Sequence, residues 1–317
     1  MKHGKISGVE KSVSRLIQGL MWLKRDEPEV GFAVLDYLIE NGCNAFDTAH
    51  VYGPNAEGLL GDWHRVRKNR EGIVIVGKGC HPKAGVSRVN KEGLTEDITV
   101  SLERLQTDYI DLYLLHRDDP TVEVGGIVEM LNEEKEKGRI HAFGGSNWSH
   151  QRLAEANAYA VAHGLTPFVA SSPCFNLVDQ VNSPWPNCIS ISGPRERAAR
   201  DWYREQGIAV LGWSGLAGGF LTGIYSRDSL HSEDPRMKEV LRSYGSEANF
   251  KTLDRLEEVA TQKRVSMPQV ALAYTLNTGL NAFSLCGCAR LSDAEDNIKG
   301  VELALSEVEV RYLEGLV

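Results

Sequence analysis

Short apolar segments alternate with longer amphipathic segments along the whole chain. Most of the apolar segments are nearly continuous in apolar residues rather than alternating with polar ones, which is typical of parallel strands buried on both faces. We predict eight strands, in the segments Val13–Met21, Gly42–Ala49, Gly72–Gly79, Tyr109–His116, Arg139–Asn147, Pro167–Pro173, Ile208–Ser214 and Asn281–Cys288.

The segments between these strands show helical spacing. In one of them, four apolar residues fall on a single helical face: Leu94, Ile98, Leu102 and Leu105. Eight strands, each followed by a helical segment, predict an α/β fold of the (β/α)8 or TIM barrel type, forming one domain over residues 1–317. A doubly wound sheet is the alternative. We favour the barrel because no G-x-G-x-x-G motif follows an early strand.

Charge and composition exclude several classes of protein. The 317 residues include 35 Lys and Arg against 43 Asp and Glu, and a net charge of −8 does not suit a nucleic-acid or membrane-surface binder. With 42% hydrophobic and 25% charged residues, the composition is that of a globular protein. There is no run of about 18 apolar residues and no apolar secretion signal, so we expect a cytoplasmic protein without a membrane span. The six cysteines form no metal motif, and the sequence predicts no oligomeric state.

Ionisable residues stand at the carboxyl-terminal ends of three consecutive predicted strands. Asp47 and Tyr52 lie in the segment FDTAHVYG, which follows the second strand. Lys78 ends the third strand and His116 ends the fourth. Alone, each has a structural explanation, such as a helix cap for the aspartate or a backbone-bonded core position for the histidine. Together they occupy the end of a TIM barrel that carries active sites, which favours a shared catalytic role.

These four residue types can form an acid–base group directed at one oxygen. A tyrosine with an ordinary pKa of about 10 donates a proton poorly at neutral pH, and a neighbouring lysine lowers that pKa. An aspartate beside the lysine keeps it charged and positioned, while a histidine N–H orients or polarises a carbonyl oxygen. The sequence therefore predicts proton transfer to a carbonyl oxygen.

The same residues carry a family resemblance. FDTAHVYG resembles the F-D-T-A-x-x-Y-G motif of the aldo-keto reductase superfamily. The lysine that ends the third strand, the histidine in Y-x-L-H and the G-x-S-N that ends the fifth strand recur in the same order. The resemblance covers essentially the whole chain. It implies a catalytic tetrad of Asp47, Tyr52, Lys78 and His116, with Tyr52 as the proton donor.

The resemblance also implies a nicotinamide cofactor. Ser146 and Asn147 are implied to hold its carboxamide, and Trp213 is implied to stack on its ring. Small residues after the seventh strand let backbone N–H groups approach the pyrophosphate, and the segment CGCARLSDAEDN matches the one that holds the adenosine part. The implied cofactor contacts are Gly19, Leu20, Met21, Asp47, Ser146, Asn147, Ser172, Trp213, Ser214, Leu216, Gly218, Cys288, Ala289, Arg290 and Asn297.

Two positions depart from the family pattern. Ser172 stands where the family usually has a glutamine that binds the carboxamide, so we expect that contact to run through water or to be absent. Asp293 stands where a glutamine or arginine is usual, and a carboxylate there repels a 2′-phosphate. Arg290 can supply the compensating charge. We expect NADP(H) as the favoured cofactor, with NAD(H) as the alternative.

The substrate pocket is expected to mix aromatic and charged side chains, which suits a polar aldehyde or ketone such as a sugar-derived aldehyde. The expected lining residues are Trp22, Tyr52, His116, Arg117, Asp118 and Trp148, together with the segment Val178–Pro194 and its Trp185. Val178–Pro194 and Thr222–Asn249 are longer than ordinary connections, and long loops of this kind usually carry function.

The predicted function is therefore an NAD(P)H-dependent reductase of a small-molecule carbonyl compound. Two alternatives remain open. The superfamily includes regulatory β subunits of potassium channels, which bind the cofactor as sensors, and turnover of a generic aldehyde distinguishes them. A lysine at a barrel strand end can also form a Schiff base in a lyase, which borohydride trapping on Lys78 detects.

Overall fold

Eight parallel strands close into a barrel. The computed structural model describes all residues from Met1 to Val317. Every barrel strand lies inside one of the predicted apolar segments, and the last strand pairs with the first. The strands in chain order are β1 (His3–Gly4), β2 (Val13–Ser14), β3 (Leu16–Gly19), β4 (Ala45–Asp47), β5 (Val74–Gly79), β6 (Ile110–Leu115), β7 (Ile140–Ser146), β8 (Ala170–Ser172), β9 (Ala209–Trp213) and β10 (Ala282–Cys286), of which β3 to β10 form the barrel.

The first predicted strand is in fact divided in two. β2 and β3 are separated at Arg15, and β2 pairs with β1 in a small antiparallel ladder outside the barrel. The apolar side chains of this amino-terminal segment join the cluster that fills the barrel interior, so the segment closes the bottom of the barrel. This closing segment contributes Ile6, Val9 and Val13.

Eleven α-helices surround the barrel, and apolar side chains fill the space between the two layers. None of these helices combines the length and the apolar composition that a membrane crossing requires. The helices are α1 (Pro28–Glu40), α2 (Gly53–Arg67), α3 (Lys91–Leu105), α4 (Val124–Glu136), α5 (His150–Ala162), α6 (Arg197–Gln206), α7 (Pro235–Tyr244), α8 (Glu247–Lys263), α9 (Met267–Leu276), α10 (Leu291–Glu302) and α11 (Glu307–Leu313).

The two long segments differ from each other. Residues 178–193 contain no helix or strand, as predicted. The segment Thr222–Asn249 is not a loop, because it contains α7 and the start of α8. The Asp234 carboxylate accepts the backbone N–H groups of Arg236 and Met237, and Pro235 occupies the first helical position, so α7 has a strong start. Its inner face buries Val240 and Tyr244.

The barrel interior changes character from bottom to top. Its lower part is filled by apolar side chains that alternate along the strands and are almost fully buried, such as Val74, Leu112 and Phe283. At the carboxyl-terminal ends of β4 and β5, the inward positions are taken by Asp47 and Lys78 instead. The apolar filling therefore ends where the charged residues begin, and this places the candidate site at the top of the barrel.

Candidate active site

Asp47 and Lys78 form a buried ion pair at the top of the barrel. Asp47 lies opposite Val76 in the β4–β5 ladder, and Lys78 is two residues further along β5 on the same inward face. Lys78 Nζ is 2.5 Å from Asp47 Oδ1 and donates a second hydrogen bond of 3.0 Å to the carbonyl oxygen of Thr48. Burial lowers the pKa of Lys78, but the neighbouring Asp47 and Tyr52 raise it more, so the pKa lies above its ordinary value. Lys78 is therefore charged at neutral pH.

Tyr52 lies above this ion pair on a short 3₁₀ turn. Lys78 Nζ is 5.3 Å from the centre of the Tyr52 ring. The turn is held from behind by Arg104, which donates to the carbonyl oxygen of His50 and to the buried carboxylate of Glu57, each at 3.0 Å. These contacts hold the backbone of the turn that carries Tyr52.

The net effect on Tyr52 differs from the expectation. The Lys78 charge lowers the pKa of Tyr52, but burial and the Asp47 carboxylate raise it, and the result lies above the ordinary value of 10. The predicted net lowering is therefore wrong, because burial and the Asp47 carboxylate together outweigh the effect of the Lys78 charge. Tyr52 is consequently protonated at neutral pH and holds a proton to donate.

His116 is the fourth member of the group and is nearly buried. Its ring lies edge-on to Tyr52, with 6.0 Å between ring centres, and its Nδ1 finds no hydrogen-bond partner within the protein. Burial, followed by the charges of Lys78 and Arg117, lowers the pKa of His116 well below its ordinary value. His116 is therefore a neutral imidazole, and its Nδ1 is buried without a hydrogen-bond partner in the protein.

His81 belongs to this group and was not predicted from the sequence. It lies just beyond the end of β5, and its ring meets that of His116 edge-on, with 4.9 Å between ring centres. Its Nδ1 is 3.0 Å from the carbonyl oxygen of Pro82. The sequence did contain a signal for it, since His81 is an ionisable residue two positions beyond the end of the strand that carries Lys78.

The implied carboxamide contacts form one connected network. Ser146 Oγ donates to the carbonyl oxygen of Ser172 and accepts from Asn147 Nδ2, at 3.1 and 3.0 Å. Asn147 Oδ1 accepts the backbone N–H of Ile189 at 3.3 Å, which ties the loop of residues 178–193 to the site. Ser172 Oγ donates to the carbonyl oxygen of Leu211 at 2.8 Å and is fully buried. Ser172 therefore supports Ser146 through its carbonyl oxygen, while its own hydroxyl is engaged with Leu211.

The loop after β9 has the geometry of an anion cradle. The backbone N–H groups of residues 214–216 have no acceptor within the protein. Ser214, Ala217 and Gly218 all adopt left-handed backbone conformations with φ between 52° and 66°, which can turn N–H groups toward a common point. Trp213, at the end of β9, is half-buried and lies 5.7 Å from Trp185, measured between ring centres. A pyrophosphate and an aromatic ring fit these features.

The segment after β10 begins the next part of the same rim. Cys288 is buried, and its carbonyl oxygen and N–H are bonded to the side chain of Gln18. Asn297 Nδ2 donates to Cys288 Sγ at 3.2 Å, so the Asn297 side chain holds this segment in place. Ala289 and Arg290 are exposed at the start of α10. The unpaired backbone N–H groups after β9 and the exposed start of α10 are features that suit the binding of a dinucleotide.

Arg290 and Asp293 are in contact with each other. Their side chains form an ion pair of 3.3 Å, and Arg290 is 78% exposed. The Asp293 carboxylate also accepts the backbone N–H groups of Ala289 and Arg290, each at 3.1 Å. Asp293 therefore caps the start of α10, a role that the sequence argument about charge repulsion did not include.

The residues after β3 form the part of the rim next to the segment after β10. Leu20 is fully buried, and its N–H donates to the carbonyl oxygen of Asp47 at 3.0 Å. Met21 and Trp22 are exposed, and the Trp22 indole covers Gly287, where an added Cβ would lie 2.7 Å from its Cδ1. Gly19 is packed against β10. Trp22 thus stands closer to the implied cofactor segment than the substrate assignment suggested.

One expected substrate residue is not available to a ligand. Trp148 is fully buried, and its ring lies 5.0 Å from that of Phe168, measured between centres. It also packs so closely on Gly145 that a Cβ there would lie 2.6 Å from the indole. Trp148 therefore belongs to the core between barrel and helices, and its assignment as a substrate contact is wrong.

The other expected substrate residues lie at the top of the barrel. Asp118 pairs with Arg152 at 3.3 Å, so its carboxylate is engaged within the protein. Arg117 is half-buried beside His116, and Trp185 is exposed above Trp213. The structure thus brings the tetrad and Arg117 together, with an aromatic rim.

Comparison with known sequences identifies the family of this chain. A family model described as the aldo/keto reductase family matches residues 15–317. Norsolorinic acid reductase B of Aspergillus parasiticus is 30% identical over 306 residues, which cover 90% of this chain and 74% of that protein. A putative aryl-alcohol dehydrogenase of Schizosaccharomyces pombe is 28% identical over 354 residues, covering 98% of this chain and 94% of that protein.

Solved structures show the same fold. A thermostable aldo-keto reductase in complex with the inhibitor epalrestat has a TM-score of 0.75 at 23% identity over the whole of both chains. A glycerol dehydrogenase of Gluconobacter oxydans has a TM-score of 0.76 at 20% identity, covering 99% of this chain and 94% of that one. With the family model, these likenesses lead to one conclusion: the chain is an oxidoreductase of the aldo/keto reductase family, which acts on small carbonyl compounds with nicotinamide cofactors.

Proposed function

We propose that this chain reduces the carbonyl group of a small aldehyde or ketone, with Tyr52 as the general acid. The observation that carries the proposal is the juxtaposition of Tyr52, the Lys78 ammonium and the neutral His116 at the top of the barrel. Few structural roles require a charged lysine, a protonated tyrosine and an imidazole with an unpaired nitrogen to share one small volume.

Each residue of the group has a defined task. A bound nicotinamide cofactor supplies the hydride that adds to the carbonyl carbon. Tyr52 holds a proton at its Oη and passes it to the carbonyl oxygen, and Lys78 stabilises the phenolate that remains. Asp47 keeps Lys78 charged and in place, while the neutral imidazole of His116 orients the carbonyl. In the reverse direction, the phenolate accepts the alcohol proton.

The lyase alternative is disfavoured by the state of Lys78. A Schiff base forms only from a neutral amine. Lys78 is instead an ammonium paired with Asp47 at 2.5 Å, and its pKa stays above the ordinary value because Asp47 and Tyr52 outweigh burial. This argument supports general acid–base chemistry over covalent catalysis.

For the substrate we propose a carbonyl compound with an aromatic ring. Trp22 and Trp185 are 62% and 51% exposed at the rim, and such flat apolar surfaces suit an aryl group. Relatives named as aryl-alcohol dehydrogenases support the same class. A sugar-derived aldehyde, as the sequence suggested, is the second candidate, and it needs polar contacts that Asp118 does not offer while paired with Arg152.

The test is cofactor oxidation in the presence of aryl aldehydes, sugar aldehydes and ketones across a range of pH. Because Tyr52 is protonated below its raised pKa, we expect reduction to be constant from about pH 6 to pH 9 and to fall as pH rises through a value above 10. Alcohol oxidation should rise over the same upper range. Absence of turnover with every carbonyl compound would overturn the proposed function.

We further propose NADP(H) as the preferred cofactor, with Arg290 contacting the 2′-phosphate. Arg290 is highly exposed, so we expect Arg290→Ala to weaken NADPH binding by roughly tenfold, the lower end for a charge-assisted contact. NADH binding should hardly change. Fluorescence titration of both cofactors measures this, and Arg311→Ala on α11 is the control. Equal losses for both cofactors would show that Arg290 does not contact a 2′-phosphate.

A further inference from the structure

Arg117 is a guanidinium without an acidic partner at the top of the barrel. It follows His116 directly, and its Nη1 donates to the carbonyl oxygen of His116 at 2.9 Å. Its remaining polar neighbour is the thiol of Cys188, with 4.0 Å between Nη2 and Sγ. Arg117 is half-buried, and no carboxylate lies within ion-pair distance of it.

The acidic residues nearest in sequence and space are engaged elsewhere. Asp118 pairs with Arg152 at 3.3 Å. Asp119 accepts hydrogen bonds from its own loop, through the N–H and the hydroxyl of Thr121. Asp47 is paired with Lys78. None of these carboxylates is left to neutralise Arg117.

The Cys188 thiol does not supply the missing negative charge either. Burial raises the pKa of Cys188, and Arg117 only partly opposes this, so the pKa stays above its ordinary value. At neutral pH the sulfur is therefore a thiol rather than a thiolate. Arg117 thus keeps a full positive charge, partly removed from water, with no anion beside it.

An unpaired, half-buried charge in a chain of net charge −8 is unusual, because desolvation of an ion is costly unless a partner compensates it. The position of Arg117 makes a substrate the natural partner. Arg117 Nη1 donates to the carbonyl oxygen of His116 at 2.9 Å, so the guanidinium lies beside the residue that we assign to the substrate carbonyl.

We propose that Arg117 binds a carboxylate of the substrate, so that the preferred substrates are aldehydes or ketones that also carry a carboxylate group. The inference rests on the proposed reductase function and names its substrate class. A planar guanidinium whose Nε makes no hydrogen bond in the protein, and whose Nη2 contacts only a thiol at 4.0 Å, has donors left for a monoanionic carboxylate. A dianionic phosphate would need more donors than this single, partly engaged side chain provides.

The experiment compares charged and neutral versions of one aldehyde. The substrates are 2-, 3- and 4-formylbenzoate and their methyl esters, assayed with saturating cofactor. The measured quantity is the ratio of kcat/KM for each acid to that of its ester, which cancels any general change in activity. For at least one isomer, we expect the wild-type ratio to be about 10 to 100, the range of a charge-assisted contact.

Variants assign the effect to Arg117. Arg117→Met should bring the ratio close to 1. Arg117→Lys should retain part of the preference, because lysine keeps the positive charge but lacks the planar set of N–H donors of a guanidinium. Lys83→Met is the matched control, since it removes one exposed positive charge from the neighbouring loop and should leave the ratio unchanged. A ratio that fell equally in Lys83→Met would overturn the specific role of Arg117.

A binding measurement separates failure of this inference from failure of the proposed function. If the esters turn over but every acid-to-ester ratio is near 1 in the wild type, the reductase function stands and the carboxylate subsite is wrong. If no aldehyde turns over, calorimetric titration of the enzyme–cofactor complex with benzoate and with benzamide still tests the carboxylate subsite. Benzoate should bind at least about tenfold more tightly than benzamide, and Arg117→Met should remove the difference; equal binding to the wild type overturns the subsite.

Discussion

Replacing Tyr52 with phenylalanine is expected to lower the rate of carbonyl reduction by about 10²–10⁴-fold, the usual contribution of a general acid. The substitution keeps the ring that lies 5.3 Å from Lys78 Nζ and edge-on to His116, and it removes only the hydroxyl. Cofactor affinity should change little. Steady-state turnover and cofactor titration on the same preparation measure the two effects separately.

A second tyrosine provides the control for this result. Tyr312 on α11 carries a hydroxyl that donates to Glu258, so Tyr312→Phe also removes one hydrogen-bonding hydroxyl. Its turnover should match that of the wild type. If Tyr52→Phe retained a third or more of wild-type turnover, with chemistry shown to be rate-limiting, Tyr52 would not be the acid.

Replacing Lys78 with methionine is expected to damage both activity and stability. Lys78→Met removes the charge that stabilises the Tyr52 phenolate, and loss of one preorganised charge of this kind lowers turnover by about 10²–10³-fold. It also leaves the Asp47 carboxylate, 1% exposed, without its partner. Breaking a buried ion pair from one side costs about 3–5 kcal/mol of unfolding free energy. Urea unfolding and turnover measure the two losses.

A double variant separates the two roles of the pair. Lys78→Met with Asp47→Leu removes both charges, so stability should largely return while activity stays low. Borohydride treatment of the wild type with a ketose should leave no covalent adduct on Lys78. An adduct found by mass spectrometry would contradict the acid–base assignment and support a Schiff-base lyase.

The strands and the tetrad were predictable for a common reason. Continuous apolar segments predict buried parallel strands locally, and all eight barrel strands lie within those segments. Because parallel strands end at the same edge of a barrel, polar residues at their ends converge without further information. Asp47, Tyr52, Lys78 and His116 therefore came together as the sequence predicted.

The errors have a different origin. The segment Thr222–Asn249 was long and polar, and its helix α7 depends on a cap at Asp234 and on two residues that pack inward. Trp148 follows the motif that ends β7, but whether its indole faces the pocket or Phe168 depends on how the chain turns into α5. Local spacing does not specify that direction.

The sequence by itself thus determined the barrel and the four residues at its top, because burial and strand direction are encoded locally. The tertiary structure decided which charges are paired. Asp118 pairs with Arg152, and Asp293 caps the start of α10. The pKa of Tyr52 is raised where Lys78 alone would lower it, and Arg117 has no acidic partner. Electrostatic interactions depend on distances between side chains that are far apart in the sequence, and only the packed structure sets those distances.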